Sequence, residues 1–126
     1  IMANGTIAFD TLQTSGQIDG TARSIDTDFL LNGCSKSWAL NAVDASSDDS
    51  FNASSGTDNG TGDYSKAFSN NMINANYSAP STCCEDSSTF AINKARATSS
   101  VRTMNITHAN AAIDKKNTYS VFGELT

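Results

Sequence analysis

"SFNASSGTDNGTGDYSKAF", residues Ser50 to Phe68, sets Asp58-Asn59-Gly60 and Gly62-Asp63 between two short runs that each carry a phenylalanine. Folding a strand back on itself needs residues that tolerate positive φ, and Asn-Gly and Gly-Asp supply them. On the near side Phe51 and Ala53 fall on one face; on the far side Tyr64, Lys66 and Phe68 do, as side-chain alternation along a strand requires. The stretch predicts strand, turn, strand, with Asp58, Asn59, Gly60, Gly62 and Asp63 as a structural turn. The same residues have the oxygen density of a calcium loop. They lack the EF-hand spacing and its bidentate Glu, so no metal is expected there.

Outward from this hairpin the pattern repeats. From Trp38 onward "WALNAV", "SFNAS", "YSKAF", "NYSA", "TFAIN", "SVRTMNIT" and "YSVFGEL" are short β-prone runs separated by Ser/Asn/Gly/Asp clusters. Such spacing predicts an all-β fold, a small antiparallel β-sandwich or jelly-roll-like domain over 36–126. Its expected core is Trp38, Phe51, Tyr64, Phe68, Tyr77, Phe90, Val101 and Val121. "SKAFSNNMINA" has apolar residues at helical spacing, but its asparagines favour at most one turn. "KARATSS" and "HANAAIDKK" read as loops. The first third differs: "GTIAFDTL" reads as a short strand and Phe29-Leu30-Leu31 as a brief apolar run, too far apart to enclose anything. Residues 1–35 are therefore expected to form an extended attachment arm.

Leu, Ile, Val and Phe make up 22 of 126 residues, about 17% and below the roughly 20% at which a lone core becomes doubtful. Disorder would also call for high net charge, and here it is only −5. Thin β structure that shares its interior with further copies is expected, a homo-oligomer with a trimer as the working expectation. The acidic balance and scattered Lys and Arg exclude a nucleic-acid partner. No apolar run is long enough for membrane insertion or for an export signal, so a soluble chain is expected.

Catalytic chemistry is not expected either. His108 is the single histidine, "NITHAN" surrounds it with small polar residues, and no G-x-S-x-G elbow occurs. The carboxylate pairs Asp48-Asp49, Glu85-Asp86 and Asp58/Asp63 read as solvated loop charges. Cys34, Cys83 and Cys84 are odd in number with two adjacent, which fits no disulfide framework; they read as small buried hydrophobes. No cofactor is expected. Asn-x-Ser/Thr triplets at Asn4, Asn52, Asn59, Asn76 and Asn105 are no more than a Ser/Thr-rich chain yields by chance.

"DSFNASSGTDNGTGDYSKAFSNNMINANYSA" (Asp49 to Ala79) resembles a segment of virion structural and tail-fibre-type proteins of tailed bacteriophages, aquatic phages in particular. The shared residues are Lys36, Trp38, Asp49 to Asn52, Thr57 to Tyr64, Phe68 and Asn74 to Tyr77, with "SSVRT" (Ser99 to Thr103) and "YSVFGEL" near the end. "GTIAFDTLQTSGQ" is similar to the short leading segment of such proteins. Lys66 and Thr103, where that family usually has aliphatic residues, and Cys83-Cys84 depart from the pattern. The resemblance implies a non-enzymatic β-rich building block of the virion, a small fibre or spike subunit for assembly and display, with other virion proteins as partners and host surface glycans as an adhesion target. A capsid decoration protein is the nearest alternative. A carbohydrate-binding module is the next, for which Trp38, Tyr64, Tyr77 and Tyr119 are the candidate platforms.

Overall fold

A computed structural model describes residues 11–13, 24–84 and 88–126. The chain divides into two units, 1–34 and 35–126. In the first, β1 (Thr11–Gln13) pairs antiparallel with β2 (Ser24–Asp26), and α1 (Thr27–Gly33) follows directly. The described part of the expected arm is thus not all extended: "DTDFLLNG" ends in one short helix, with Phe29 and Leu31 exposed. The strand expected over Gly5 to Leu12 lies almost wholly outside the described residues.

The second unit is a small all-β sandwich. One sheet has the order β4-β3-β10-β7, the other β5-β6-β9-β8, and every pairing is antiparallel. The strands are β3 (Ser37–Asn41), β4 (Ser47–Phe51), β5 (Ala53–Asp58), β6 (Asp63–Phe68), β7 (Ser81–Cys83), β8 (Thr89–Ala97), β9 (Ser100–Thr107) and β10 (Asn117–Val121). The expected run "SFNAS" is not one strand. Asn52, at φ 50°, turns the chain out of β4 and into β5 of the other sheet. Its amide pins the corner, with Nδ2 donating to Lys36 O at 2.9 Å and Oδ1 accepting from Asn70 N at 2.7 Å. "KARA" belongs to β8, and "SKAFSNNMINA" has no helix: Met72 makes a β-bridge to Leu125. "HANAAIDKK" is a loop, tied back by an isolated bridge between Ala112 and Ile106.

The apolar core joins both sheets through Ala39, Tyr119 and Val121 on one side and Phe68 and Val101 on the other, closed by Met72, Tyr77 and Ala79. Phe68 meets Tyr77 edge to face at 5.8 Å. Tyr64, Phe68, Tyr77, Val101 and Val121 are interior, as expected. Trp38, Phe51 and Phe90 are not. Trp38 pairs with Phe51 on the outer face of the first sheet, because Ser37, Ala39 and Asn41 take the inner positions of β3. Phe51 is 54% exposed. Phe90 pairs with Ile106 on the outer face of the second sheet and is 47% exposed, its ring 4.7 Å from that of the exposed His108.

Polar side chains complete the interior. Asn41, Asn105 and Asn117 are buried at the end of the sandwich away from Val121, and so are Thr103 and Lys66. The amide of Asn117 is the hub: Oδ1 accepts from Asn41 Nδ2 at 2.9 Å, and Nδ2 donates to Asn105 Oδ1 at 3.0 Å and Thr103 Oγ1 at 3.2 Å. Asn105 Nδ2 donates in turn to Lys115 O at 2.5 Å. Half of this small core is therefore held by hydrogen bonds, which is how a chain so poor in large aliphatics still fills a sandwich.

Candidate functional site

The β5–β6 hairpin is where local turn chemistry and distant strands meet. Gly60 has φ 119° and Gly62 φ 65°, both in the region that a Cβ disfavours. Asp58 Oδ1 accepts from Gly60 N at 2.9 Å, Asn59 N donates to Asp63 O at 2.8 Å, and Asp63 N donates to Gly60 O at 2.9 Å. These bonds are local and any isolated hairpin could make them. Gly62 is different. Its N–H donates to Asp114 Oδ1 at 2.6 Å and its carbonyl accepts from Asn105 N at 2.8 Å. A Cβ there would stand 2.4 Å from Ile113 O. The turn is clamped by the loop between β9 and β10.

Beyond the turn, Asp63 lies on the outer face of the second sheet and is nonetheless buried beneath two cations. Arg102 grips both carboxylate oxygens, Nε to Oδ1 at 2.7 Å and Nη2 to Oδ2 at 2.8 Å, and Lys94 Nζ reaches Oδ2 at 2.5 Å. The Arg102 hydrogen bonds hold the Asp63 carboxyl below the usual carboxylate range, against the opposing effect of its burial. Alternation after Asn93 puts Lys94 on this face, and the bulge between Asn93 and Ala95 sets Ala95, in its place, opposite Arg102. Next to it an open groove of about 340 Å³ is lined by Ala75, Asn93, Lys94, Ala95 and Arg96. Arg96 Nη1 is spent on Tyr77 O at 3.0 Å, and Asn93 Nδ2 on Ala79 O.

Lys66 departs from the phage pattern but does not open the interior. Its Nζ donates to Ala45 O at 2.7 Å, and burial lowers its pKa. Tyr64, Tyr77 and Tyr119 are each at most 3% exposed, so no sugar ring can stack on them, and Trp38 is half-buried. Burial pushes the Tyr64 hydroxyl up to about 12, with Asp114 adding to the effect; Tyr77 and Tyr119 are likewise pushed to about 12 by burial.

No family model, curated protein or solved structure matches this chain. The site is therefore read from its own geometry. Asp58, Asn59, Gly60, Gly62 and Asp63 come together as one turn, but Asp58 and Asp63 do not act as a pair, since Asp58 caps the turn and Asp63 is neutralised by Arg102 and Lys94. Asp48 pairs with Lys116 at 2.8 Å, Asp49 accepts from Ser50 N, and Glu85 and Asp86 lie outside the described residues. Among the described residues no three His, Cys, Asp or Glu side chains gather as metal ligands. The cysteines were expected inside. Cys34 and Cys84 are exposed and Cys83 is half-buried, because the first lies just after α1 and the others on the short edge strand β7 and its exit. The asparagine network and the Lys94–Asp63–Arg102 cluster were missed by the reading of the sequence. The signal available was the place of Asn41 and Asn105 between apolar neighbours in β-prone runs, Leu40 and Ala42 for the one and Met104 and Ile106 for the other.

Proposed function

We propose that this protein is a non-enzymatic structural subunit of a tailed-phage virion, a small fibre or spike component that assembles as a homo-oligomer and displays its β-sandwich. The observation that carries this reading is the use made of the T-D-N-G-T-G-D-Y block, Thr57 to Tyr64, the most specific part of the phage resemblance. Its Gly62 is bonded to Asp114 and Asn105, and its Asp63 to Arg102 and Lys94. Those bonds tie the turn to β8, β9 and the loop that follows β9, as suits a brace that fixes strand register in a subunit packed beside identical copies. In the same reading residues 1–35 attach the subunit and the sandwich projects.

Mass spectrometry and microscopy of purified particles test the proposal. The chain is expected in the particle with density on the tail. Density on the shell replaces the fibre reading with the decoration reading, and absence from the particle overturns both.

A further inference from the structure

The outer face of the first sheet carries aromatic side chains that the core does not use. Trp38 stands opposite Phe51 of β4 and Ser120 of β10, so these side chains form one row across the sheet, and Ser120 N continues it by donating to Pro80 O at 3.1 Å. The next row on the same face runs Asp49, Leu40, Thr118, Thr82. Neighbouring strands lie about 4.8 Å apart, so Phe51 and Trp38 are spaced by close to the length of one sugar residue in a chain, with a band of hydroxyls one row away. Phe51 is mostly exposed and Trp38 half-buried. Among the described residues neither ring stacks on another ring, and neither the Trp38 indole N–H nor the Ser120 hydroxyl has a hydrogen-bond partner. Beyond Ser120 the row ends in a shallow pocket of about 220 Å³ bordered by Pro80, Thr82 and Thr118.

The polar groups between the rings say what covers them. A pyranose has a face of C–H groups and a rim of hydroxyls, so it gains from an aromatic plane beneath it and from donors and acceptors at its edge. Thr118 Oγ1 donates to Ala39 O at 2.9 Å and Thr82 Oγ1 to Cys83 O at 3.3 Å, and both keep lone pairs for a sugar O–H. Asp49 Oδ1 accepts from Ser50 N at 2.8 Å, while its Oδ2 has no partner among the described residues. An apolar protein surface laid here would bury these groups unpaired. Charge decides the kind of glycan. Asp48 is paired with Lys116 at 2.8 Å, Lys36 precedes β3 as a further cation, and Glu85 and Asp86 follow β7 in sequence beside the open carboxylate of Asp49. The surroundings are balanced to acidic, which disfavours sulfated or sialylated chains and suits neutral hydroxyls donating to Asp49. The outer face of the second sheet lacks this chemistry: Phe90 there shares its face with Ile92 and Ile106, and the charged Asp63, Lys94 and Arg102 are bonded to one another.

We propose that the outer face of the first sheet is a platform for a neutral glycan, whose rings stack on Phe51 and Trp38 and whose hydroxyls bond to Asp49, Thr118, Ser120 and Thr82. This rests on the reading of the sandwich as the displayed part of a virion subunit, which makes the ligand a glycan of the host surface.

Trp38 is the single tryptophan of the chain, so its emission reads this site alone. The full chain is applied to an array of neutral glucans, mannans and galactans beside sialylated and sulfated glycans, and the strongest neutral binder is then titrated by tryptophan fluorescence. Neutral glycans are expected to bind, with a blue shift as the indole leaves water. Phe51→Ala should weaken binding about tenfold and barely move the unfolding midpoint, because the ring is mostly exposed. Phe90→Ala, on the other sheet, should bind as wild type does. A preference for sialylated or sulfated glycans, a neutral binder that leaves the emission unchanged, equal binding by wild type and Phe51→Ala, or no binding on the array each overturns the platform. None of these results touches the subunit reading, which is decided separately by whether purified particles contain the chain.

Discussion

Replacing Asn117 by Ala removes the hub of the buried polar network, and the cost follows from what is left behind. Three hydrogen bonds disappear, those from Asn41 Nδ2 and to Asn105 Oδ1 and Thr103 Oγ1. Asn41 is hit hardest: among the described residues its Oδ1 already lacks a partner, and its Nδ2 loses the Asn117 carbonyl that it donates to. A buried polar group left unpaired costs about 1–3 kcal/mol. With two such groups, on Asn41 and Asn105, we expect a loss of roughly 3–5 kcal/mol, a large share of the 5–15 kcal/mol typical of a domain. Urea unfolding followed by circular dichroism measures it as a lower midpoint at unchanged slope. A cycle with Asn41→Ala isolates the pair: the double variant should cost at least about 1 kcal/mol less than the sum of the singles, because the orphaned Asn41 amide is gone. A loss below about 1 kcal/mol for Asn117→Ala, or strict additivity with Asn41→Ala, would refute the claim that hydrogen bonds hold this half of the core.

At the turn, both glycines need positive φ but only Gly62 is crowded, so Gly60→Ala should cost about 1 kcal/mol and Gly62→Ala about 3 kcal/mol or more by the same unfolding assay. Equal costs would mean that the clamp by Asp114 and Ile113 is irrelevant. The lowered pKa of Asp63 makes its ion pairs stabilising above the unfolded carboxylate value, near 4, and lost as pH falls through the lower folded value. Asp63→Asn should therefore be less stable than wild type at neutral pH and lose less on acidification; parallel curves would contradict the assignment. The chain has three tyrosines, all raised to about 12. Tyrosinate absorbance should be absent from the folded protein near pH 10, where it appears in urea, and stability should hold below about pH 10 and fall as pH rises toward 12. Half-titration of the native protein at pH 10 would count against their burial.

Turns and alternation are local properties, and they were legible. Asn59-Gly60 and Gly62-Asp63 demand a reversal wherever they occur, and Tyr64, Lys66 and Phe68 do share one face, so an all-β chain with a hairpin at 58–63 follows from residue chemistry alone. Which face becomes the interior is not local. It depends on partners from elsewhere in the chain, and a phenylalanine at the right spacing looks inward whether or not a second sheet covers it. Phe90 alternates correctly with Ile92, but the face of β8 turned toward the first sheet is that of Ala91 and Asn93, paired with Asn105 and Thr103. Conversely, Asn41 reads as surface until Asn117, 76 positions away, arrives to take its amide hydrogen. The single kink at Asn52, which sends β4 and β5 into different sheets, likewise has its meaning only from Lys36 and Asn70 around it. The residues by themselves determined strands, turns and a scarcity of grease. The tertiary structure decided that asparagines would fill the gap, because a polar group can be buried only when distant strands deliver its partners.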